Sequence, residues 1–373
     1  MKFIILNTDY PEFLGWLYDQ NPGLQKLPYE EQMRVRAESL FGVADFYSSN
    51  LRKLGHGAWD IHANNEFMQT AWATEHGVPV APQWQWQFRL RRGVVPWFSR
   101  VKDQRWLYDT LAAQIRHYRP DVLLNQAMDG VSGRFLREMK QYIRLLVGQI
   151  ASPLPQGEEF RTYDLIISSL PNFVEHFRRL GVPSELSLFA FEPAVLPRLK
   201  DQRPDIPVSF VGSLSSAHQS RVRWLEYLCH HVQVNTWGHG ENALPQDSII
   251  RCRNSGAAWG IEMYQILLRS KIALNHHIGI AESYANNMRL FEATGVGTLL
   301  LTDWKVNLHE MFEPGKEVIA YHSPEECAEL IQYYLEHDEE RHAIARAGQE
   351  RTLREHTYYQ RMQELVDIVR KYL

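Results

Sequence analysis

The chain has 373 residues, 45% of them hydrophobic, which is ample for two cores of ordinary domain size. A net charge of −4 and a pI near 6.5 argue against a dedicated nucleic-acid binder, which is usually basic. The three cysteines, Cys229, Cys252 and Cys327, lie far apart and imply neither a disulfide framework nor a zinc ribbon. No run of about 18 apolar residues occurs, so no membrane span is expected. The apolar run opening MKFIILNTDYPEF is too short for a signal peptide and reads as a first buried strand. A cytoplasmic protein is expected.

Residues 1–119 are irregular. A strand over 2–6 is followed by helical patterns near 29–40 and 44–55. The segment PQWQWQFRLRRGVVPWFSRVKDQRW (82–106) alternates Trp84, Trp86 and Phe88 with glutamines, among Arg89, Arg91, Arg92, Arg100, Lys102 and Arg105. The alternation suits the buried face of a strand. It equally suits an exposed binding surface, because indoles stack on flat apolar ligand faces and arginines meet anionic groups or lipid headgroups. Peripheral membrane contact through 82–106 is therefore expected on the second reading.

From residue 120 strand and helix signals alternate. Strand patterns at 120–126, 143–151, 163–169 and 184–191 are separated by helices at 133–141 and 171–181, the latter opened by Pro171 and closed by Gly181. EPAVLPRLKDQRPDIP (192–207) is Pro-rich and charged, and reads as a linker. The alternation then restarts, with strands at VSFVGS, VQVNTWG, KIALN, GTLLLTD and EVIAY and helices between them. Two long helices near 339–355 and 357–372 close the chain. Short apolar runs between amphipathic helices predict parallel sheets covered on both faces. The fold class is α/β, with two Rossmann-like doubly wound domains over 1–191 and 208–356. The closing helix, 357–373, is expected to pack back on the first.

Ligands of such sheets bind beyond the carboxyl ends of the strands. Gly212, Ser213, Leu214, Ser215 and Ser216 follow one strand and precede the helix carrying Arg221; they suit either a phosphate or a plain serine cap. Gly238, His239 and Gly240 suit close approach to a flat ligand or an ordinary turn. Asn275, His276, His277, Ile278 and Gly279 open a loop to Asn286 and Asn287 that is long for an α/β connection. In NNMRLFEATGVGTLLLTD (286–303), Arg289 and Glu292 share a helix face, with an asparagine to cap the helix. They form either a solvated ion pair or the floor of a ligand site, the arginine offering a phosphate-binding fork and the glutamate two acceptors for ribose hydroxyls.

The run N-x-R-x-F-E-A-x-G-x-G-T-L-L-L-T-D, preceded by L-N-x-H at Leu274–His277, resembles the C-terminal module of the CgeB-like (spore-maturation-type) glycosyltransferase family. So does the tail from Phe312-Glu313-Pro314-Gly315-Lys316 through HSPEECAELIQYYL to the last helices. These proteins are similar to GT-B glycosyltransferases of the family 4 type. The resemblance is closest over 205–373. It implies a GT-B fold, Glu292 on the ribose of a nucleoside-diphosphate sugar of UDP or GDP type, and Arg289 with Arg221 on the diphosphate. It implies loop 238–240 near the base, and His277 and Asn287 lining the donor pocket. The family pattern carries a second glutamate eight residues earlier, where this chain has Tyr284; Glu282 is ten earlier. No Asp-x-Asp occurs, which agrees with a metal-independent enzyme needing no cofactor.

In such a transfer, fixed cations stabilise the departing diphosphate; Arg289, Arg221 and the helix start at 286–289 are placed to do so. Asp9, Asp45, His56 and Asp129 are candidates for an acceptor-side base, with Asp45 first among them. The acceptor is a glycan, a lipid-linked sugar or a protein. A sugar-nucleotide epimerase and a non-catalytic nucleotide-sugar-binding module are the competing readings.

Overall fold

A computed structural model describes residues 1–79, 84–91, 95–102, 105–157, 159–215, 219–285 and 287–373, with 84–91 and 95–102 given as a backbone course. Asn286, Ser216 and Arg92, and the side chains of the tryptophans and arginines between 84 and 102, lie outside the described residues.

The first domain opens with β1 (Lys2–Asn7), whose Phe3–Leu6 run is wholly buried. Helices α1 (Pro11–Gln20), α2 (Tyr29–Glu38) and α3 (Phe46–Lys53) lead to β2 (Gly57–His62) and α4 (Glu66–Glu75). An antiparallel hairpin, β3 (Trp84–Arg91) and β4 (Val95–Lys102), stands apart from the main sheet, pairing Trp84 with Lys102. Then come α5 (Arg105–Tyr118), β5 (Val122–Asn125), α6 (Gly133–Met139), β6 (Leu145–Gln149), β7 (Leu165–Ser168), α7 (Pro171–Arg179) and β8 (Ser184–Leu186). The six main strands run parallel in the order β2-β1-β5-β6-β7-β8.

The second domain holds β9 (Ile206–Val211), α8 (Gln219–His231), β10 (Asn235–Trp237), α9 (Ile249–Arg253), α10 (Ile261–Arg269) and β11 (Ser270–Asn275). It continues with α11 (Met288–Gly295), β12 (Leu299–Asp303), α12 (Leu308–Met311), β13 (Ile319–Tyr321), α13 (Pro324–Glu336) and α14 (Asp338–Glu355). Its strands are also parallel, ordered β10-β9-β11-β12-β13. The last helix, α15 (Tyr358–Arg370), returns to the first domain. Tyr358 packs on Phe46 and Tyr47, the Phe191 and Tyr358 N–H groups bond His356 O and Phe191 O, and Tyr372 donates to Glu185 at 3.0 Å.

Two doubly wound parallel sheets are thus present as expected. The differences have local causes. β2 escapes a hydrophobicity reading because GAWDIH lies at the sheet edge and carries Asp60 and His62. The strand expected over 184–191 stops at Leu186, for the same edge reason. The expected linker is mostly docked: Glu192 is buried and accepts from Asn50 Nδ2 at 2.6 Å, and Val195 is buried in a 3₁₀ turn over Pro193–Arg198. The linker's longest continuously exposed stretch is 200–205. No described helix is long and apolar enough to cross a membrane.

Each sheet reverses its strand order once, between β1 and β5 and between β9 and β11. At a reversal the two adjoining loops diverge, leaving a crevice at the carboxyl ends of the strands. The two crevices face each other.

Candidate active site between the two sheets

On the β9/β11 side the crevice is a cavity of about 380 Å³. Its floor is the end of β9 (Val211, Gly212, Ser213) beside Asn275 at the end of β11. Gly212 and Gly238 allow the loops after β9 and β10 to stay paired beyond the strands. The Gly212 N–H bonds Trp237 O and the Leu214 N–H bonds His239 O, both at 2.9 Å. A Cβ on Gly238 would lie 2.1 Å from Gly212 O. The bareness of Gly238 therefore serves the neighbouring loop first, rather than a ligand.

Two guanidiniums converge on this floor. Arg221, on α8, donates from Nε and Nη2 to His276 O at 3.1 and 2.9 Å, and from Nη1 towards Ser213 O at 3.4 Å. It ties the loops after β11 and β9 together. Burial pushes its guanidinium down to about 10, against the pull of Asp303. Arg289, in the first turn of α11, donates to Val211 O at 3.0 Å and pairs with Glu292 at 2.9 Å. That pair is not on a solvated face: the side chains are 14% and 6% exposed. Burial raises the Glu292 carboxyl above its ordinary range, and Arg289 opposes the rise. Arg289 Nε is buried without a hydrogen-bond partner.

Asn287 caps α11, its side chain accepting from the Leu290 N–H at 3.2 Å. It donates to Asn275 Oδ1 at 2.8 Å, and Asn275 donates to Thr302 Oγ1 at 2.9 Å. The cap leaves the Met288 and Arg289 N–H groups without an acceptor in the helix, on a segment that lines the cavity. Asn286 lies outside the described residues.

His276 and His277 part, as neighbours leaving a strand must. The His276 ring stacks on Trp224 at 5.0 Å and sits 3.2 Å from the Tyr321 hydroxyl. Burial holds it down to about 4. His277 turns to Asp303, with Nδ1 2.6 Å and its backbone N–H 3.0 Å from Oδ1. Burial works to raise the Asp303 carboxyl, but His277, His276 and Lys305 together outweigh it and hold that carboxyl well below the usual range. His277 Nε2 is buried and unpartnered. The His277–Asp303 dyad was not foreseen. Its signal was present, because Asn275 pairs with Thr302 across β11 and β12, so the residues after both meet.

The mouth of the cavity is aromatic. His239 lies 5.4 Å from Trp259, stacked, and 5.5 Å from Tyr10 of the first domain. Phe41 meets Trp259 edge-on at 5.0 Å. Tyr10, Phe41, Trp259, Met263 and Phe189 also line the cavity, and sequence reasoning missed them. They share no local signal: Tyr10, Phe41, Trp259 and Phe189 lie in connections and Met263 lies within α10.

The β1/β5 crevice adds about 310 Å³. It shares Tyr10, Phe41, Gly42, Phe189 and Met288 with the first cavity, so the two are continuous. Asp9 and Asp129 line it. Asp9 is buried between Arg36 at 2.6 Å and His62 at 3.0 Å. Burial would raise its carboxyl, but the two partners hold it well below the usual range. Asp45 does not line either cavity. It precedes α3, pairs with Arg52 at 3.6 Å and lines a separate depression with Trp59 and Arg198. The backbone turns at Leu40–Ala44 carry it away, and the expectation of an acceptor-side base there is corrected. His56 is also remote, 3.3 Å from the chain's amino terminus. Among the described residues no group of three or more His, Cys, Asp or Glu side chains comes together as a metal site.

Residues 194–367 match a family model described as glycosyl transferase-like. Over its whole length the chain is similar to crystal structures with the GT-B fold. HepE of Anabaena in complex with UDP-glucose covers 100% of both chains at 11% identity and a TM-score of 0.63. The pneumococcal O-GlcNAc transferase GtfA in complex with UDP and GlcNAc covers 100% of this chain and 99% of its own, at 11% identity and a TM-score of 0.57. A glycosyltransferase from Rickettsia africae covers 100% and 98%, at 12% identity and a TM-score of 0.56. The enzyme class is glycosyltransferase. Likeness at these identities gives the GT-B fold, and the family match covers the C-terminal module. No curated protein matches.

Proposed function

We propose that this glycosyltransferase transfers a sugar from a UDP-sugar, without a metal ion, to a hydroxyl presented from the first domain. It is further proposed to stand with the CgeB-like (spore-maturation-type) branch. One observation carries the donor reading. Arg221 and Arg289 converge on Val211–Ser213 at a strand-order reversal, with Glu292 as the carboxylate paired there. An electropositive, half-dry floor of this kind suits a diphosphate. The UDP bound in HepE and GtfA supports uridine.

In this reading Arg221, the unpartnered Nε of Arg289 and the start of α11 hold the diphosphate. Glu292 accepts from the ribose hydroxyls. Gly238 and His239 border the base. Asn275, Asn287 and Gly212 with Ser213 surround the phosphates and sugar. His277, fixed by Asp303, keeps a buried, unpartnered Nε2 beside the site but does not itself line the cavity. During transfer the bond from the anomeric carbon to the β-phosphate oxygen breaks, and its electron pair stays on the diphosphate. The acceptor oxygen bonds the anomeric carbon, and its proton leaves to the diphosphate or to water. Charge accumulates on the leaving group, where fixed guanidiniums lower the barrier without reorganising.

The test is UDP release from a panel of UDP- and GDP-sugars, with and without an acceptor extract, in EDTA. Release that requires acceptor, survives EDTA and favours UDP-sugars is expected. Turnover of donor alone would point to an epimerase, and nucleotide binding with no release to a binding module.

A further inference from the structure

The crevice at β1/β5 has a floor unlike the donor side. Three carboxamides stand at the ends of consecutive strands and form a chain of hydrogen bonds. Asn7 Nδ2 donates to Gln126 Oε1 at 3.2 Å, Gln126 Nε2 to Gln149 Oε1 at 2.9 Å, and Gln149 Nε2 to the Tyr47 hydroxyl at 2.9 Å. All three line the cavity and all three are half-buried.

Each amide NH₂ has two hydrogens and each amide oxygen two lone pairs. The chain uses one N–H of each amide; Asn7 and Gln149 keep a spare N–H, while the second N–H of Gln126 meets the Tyr47 hydroxyl. Gln126 and Gln149 each keep a spare lone pair; Asn7 Oδ1 already takes the Thr8 N–H at 2.8 Å. The result is a row of alternating donors and acceptors with no charge, held rigid by its own bonds. That is the valence pattern of vicinal hydroxyls, each of which donates one bond and accepts others.

The charges point the same way. Arg36 is the cation among the described lining residues, and Asp9 neutralises it at 2.6 Å with both side chains buried. Asp129 lines the cavity exposed. A phosphate entering here would meet a carboxylate and no unpaired guanidinium, the reverse of the donor side. Taking a doubly charged group out of water without a partner is strongly unfavourable.

We propose that the group accepted at the β1/β5 crevice is an uncharged sugar, recognised through its hydroxyls by the Asn7–Gln126–Gln149 row. A phosphorylated sugar or a lipid phosphate is disfavoured there. The proposal rests on the donor reading above, since it assigns the other half of the same cleft.

The test uses the full chain saturated with UDP. Saturation-transfer NMR is recorded with methyl glucosides, galactosides and N-acetylglucosaminides, and with the matching glycosyl 1-phosphates. Signals from at least one neutral glycoside are expected, and none from its phosphate. Gln126→Ala should weaken that glycoside at least about fivefold, the loss of one or two neutral hydrogen bonds. It should leave UDP affinity and the thermal midpoint unchanged. Gln126→Glu keeps the shape, so it guards against a packing artefact and should also weaken glycoside binding. Preferential binding of the phosphates would overturn the proposal. So would silence from both classes, or an unchanged glycoside signal in both variants, while UDP still binds. Failure of UDP itself to bind the wild-type protein would instead overturn the donor reading.

Discussion

Glu292→Gln tests the donor site at its centre. Glu292 is buried and paired with Arg289 at 2.9 Å, so truncation to alanine would strand a buried guanidinium, at a stability loss of several kcal/mol. Glutamine keeps the shape and can still accept from Arg289. What it loses is the charge. A hydrogen bond to a carboxylate contributes about 1.5–3 kcal/mol and a neutral one about 0.5–1.5 kcal/mol. With two ribose hydroxyls donating to Glu292, the substitution should weaken UDP by about 1–3 kcal/mol, or roughly 5- to 150-fold in Kd. Calorimetry with UDP and 2′,3′-dideoxy-UDP isolates the cause. The wild type should prefer UDP over the dideoxy nucleotide, and the variant should keep that preference reduced by about 1–3 kcal/mol. If the variant weakens both nucleotides by one factor, Glu292 acts only through Arg289 and the ribose assignment is refuted.

Arg221→Lys should separate phosphate from nucleoside recognition: a lysine cannot bridge His276 O and Ser213 O while keeping a fork for phosphate. UDP affinity should fall at least about tenfold with uridine affinity unchanged, and equal losses would contradict the diphosphate role. Gly260→Ala should loosen the seam between the domains, because its Cβ would lie 1.8 Å from Ser39 O at a φ of +53°. A loss of about 1–3 kcal/mol is expected from urea unfolding. Below neutral pH the fold should weaken. The rings of His276 and His356 are pushed down to about 4 from an ordinary 6.5 by burial. The unfolded chain therefore takes up protons first, and stability that is complete above about pH 6.5 is lost as pH falls towards 4, by at most about 2 kcal/mol per ring at pH 5. His356→Gln should remove roughly half of the fall in urea midpoint between pH 7.5 and 5. Substituting Arg89, Arg91 and Arg92 together should reduce sedimentation with anionic vesicles if the β3–β4 segment touches membranes, and unchanged sedimentation would end that reading.

The sequence by itself determined most of the scaffold. Runs such as Phe3–Leu6 and Leu299–Leu301 are buried on both faces of a parallel sheet, and continuous apolar stretches between amphipathic helices have few other solutions. It also brought out Arg289, Glu292 and Arg221 as a group through the family resemblance, each in the early turns of a helix that follows a strand. Its blind spots were β2, whose edge position permits Asp60 and His62, and the closely packed glycines, whose partners lie on other loops.

Tertiary structure alone decided the rest. Spacing left Arg289 and Glu292 equally suited to a solvated face or a ligand floor. Packing of α11 against the end of β9 and against Met263 of α10 buried the pair. Adjacent histidines were separable only once β12 brought Asp303 beside one and α8 brought Trp224 beside the other. Asp45, equally plausible by its place before a helix, was carried out of the cleft by the turns preceding it. The row of Asn7, Gln126 and Gln149 spans over a hundred residues of sequence and exists only because parallel strands end at one level. Periodicity reports which face of an element is buried; what a side chain meets there depends on strand order, which no local pattern encodes.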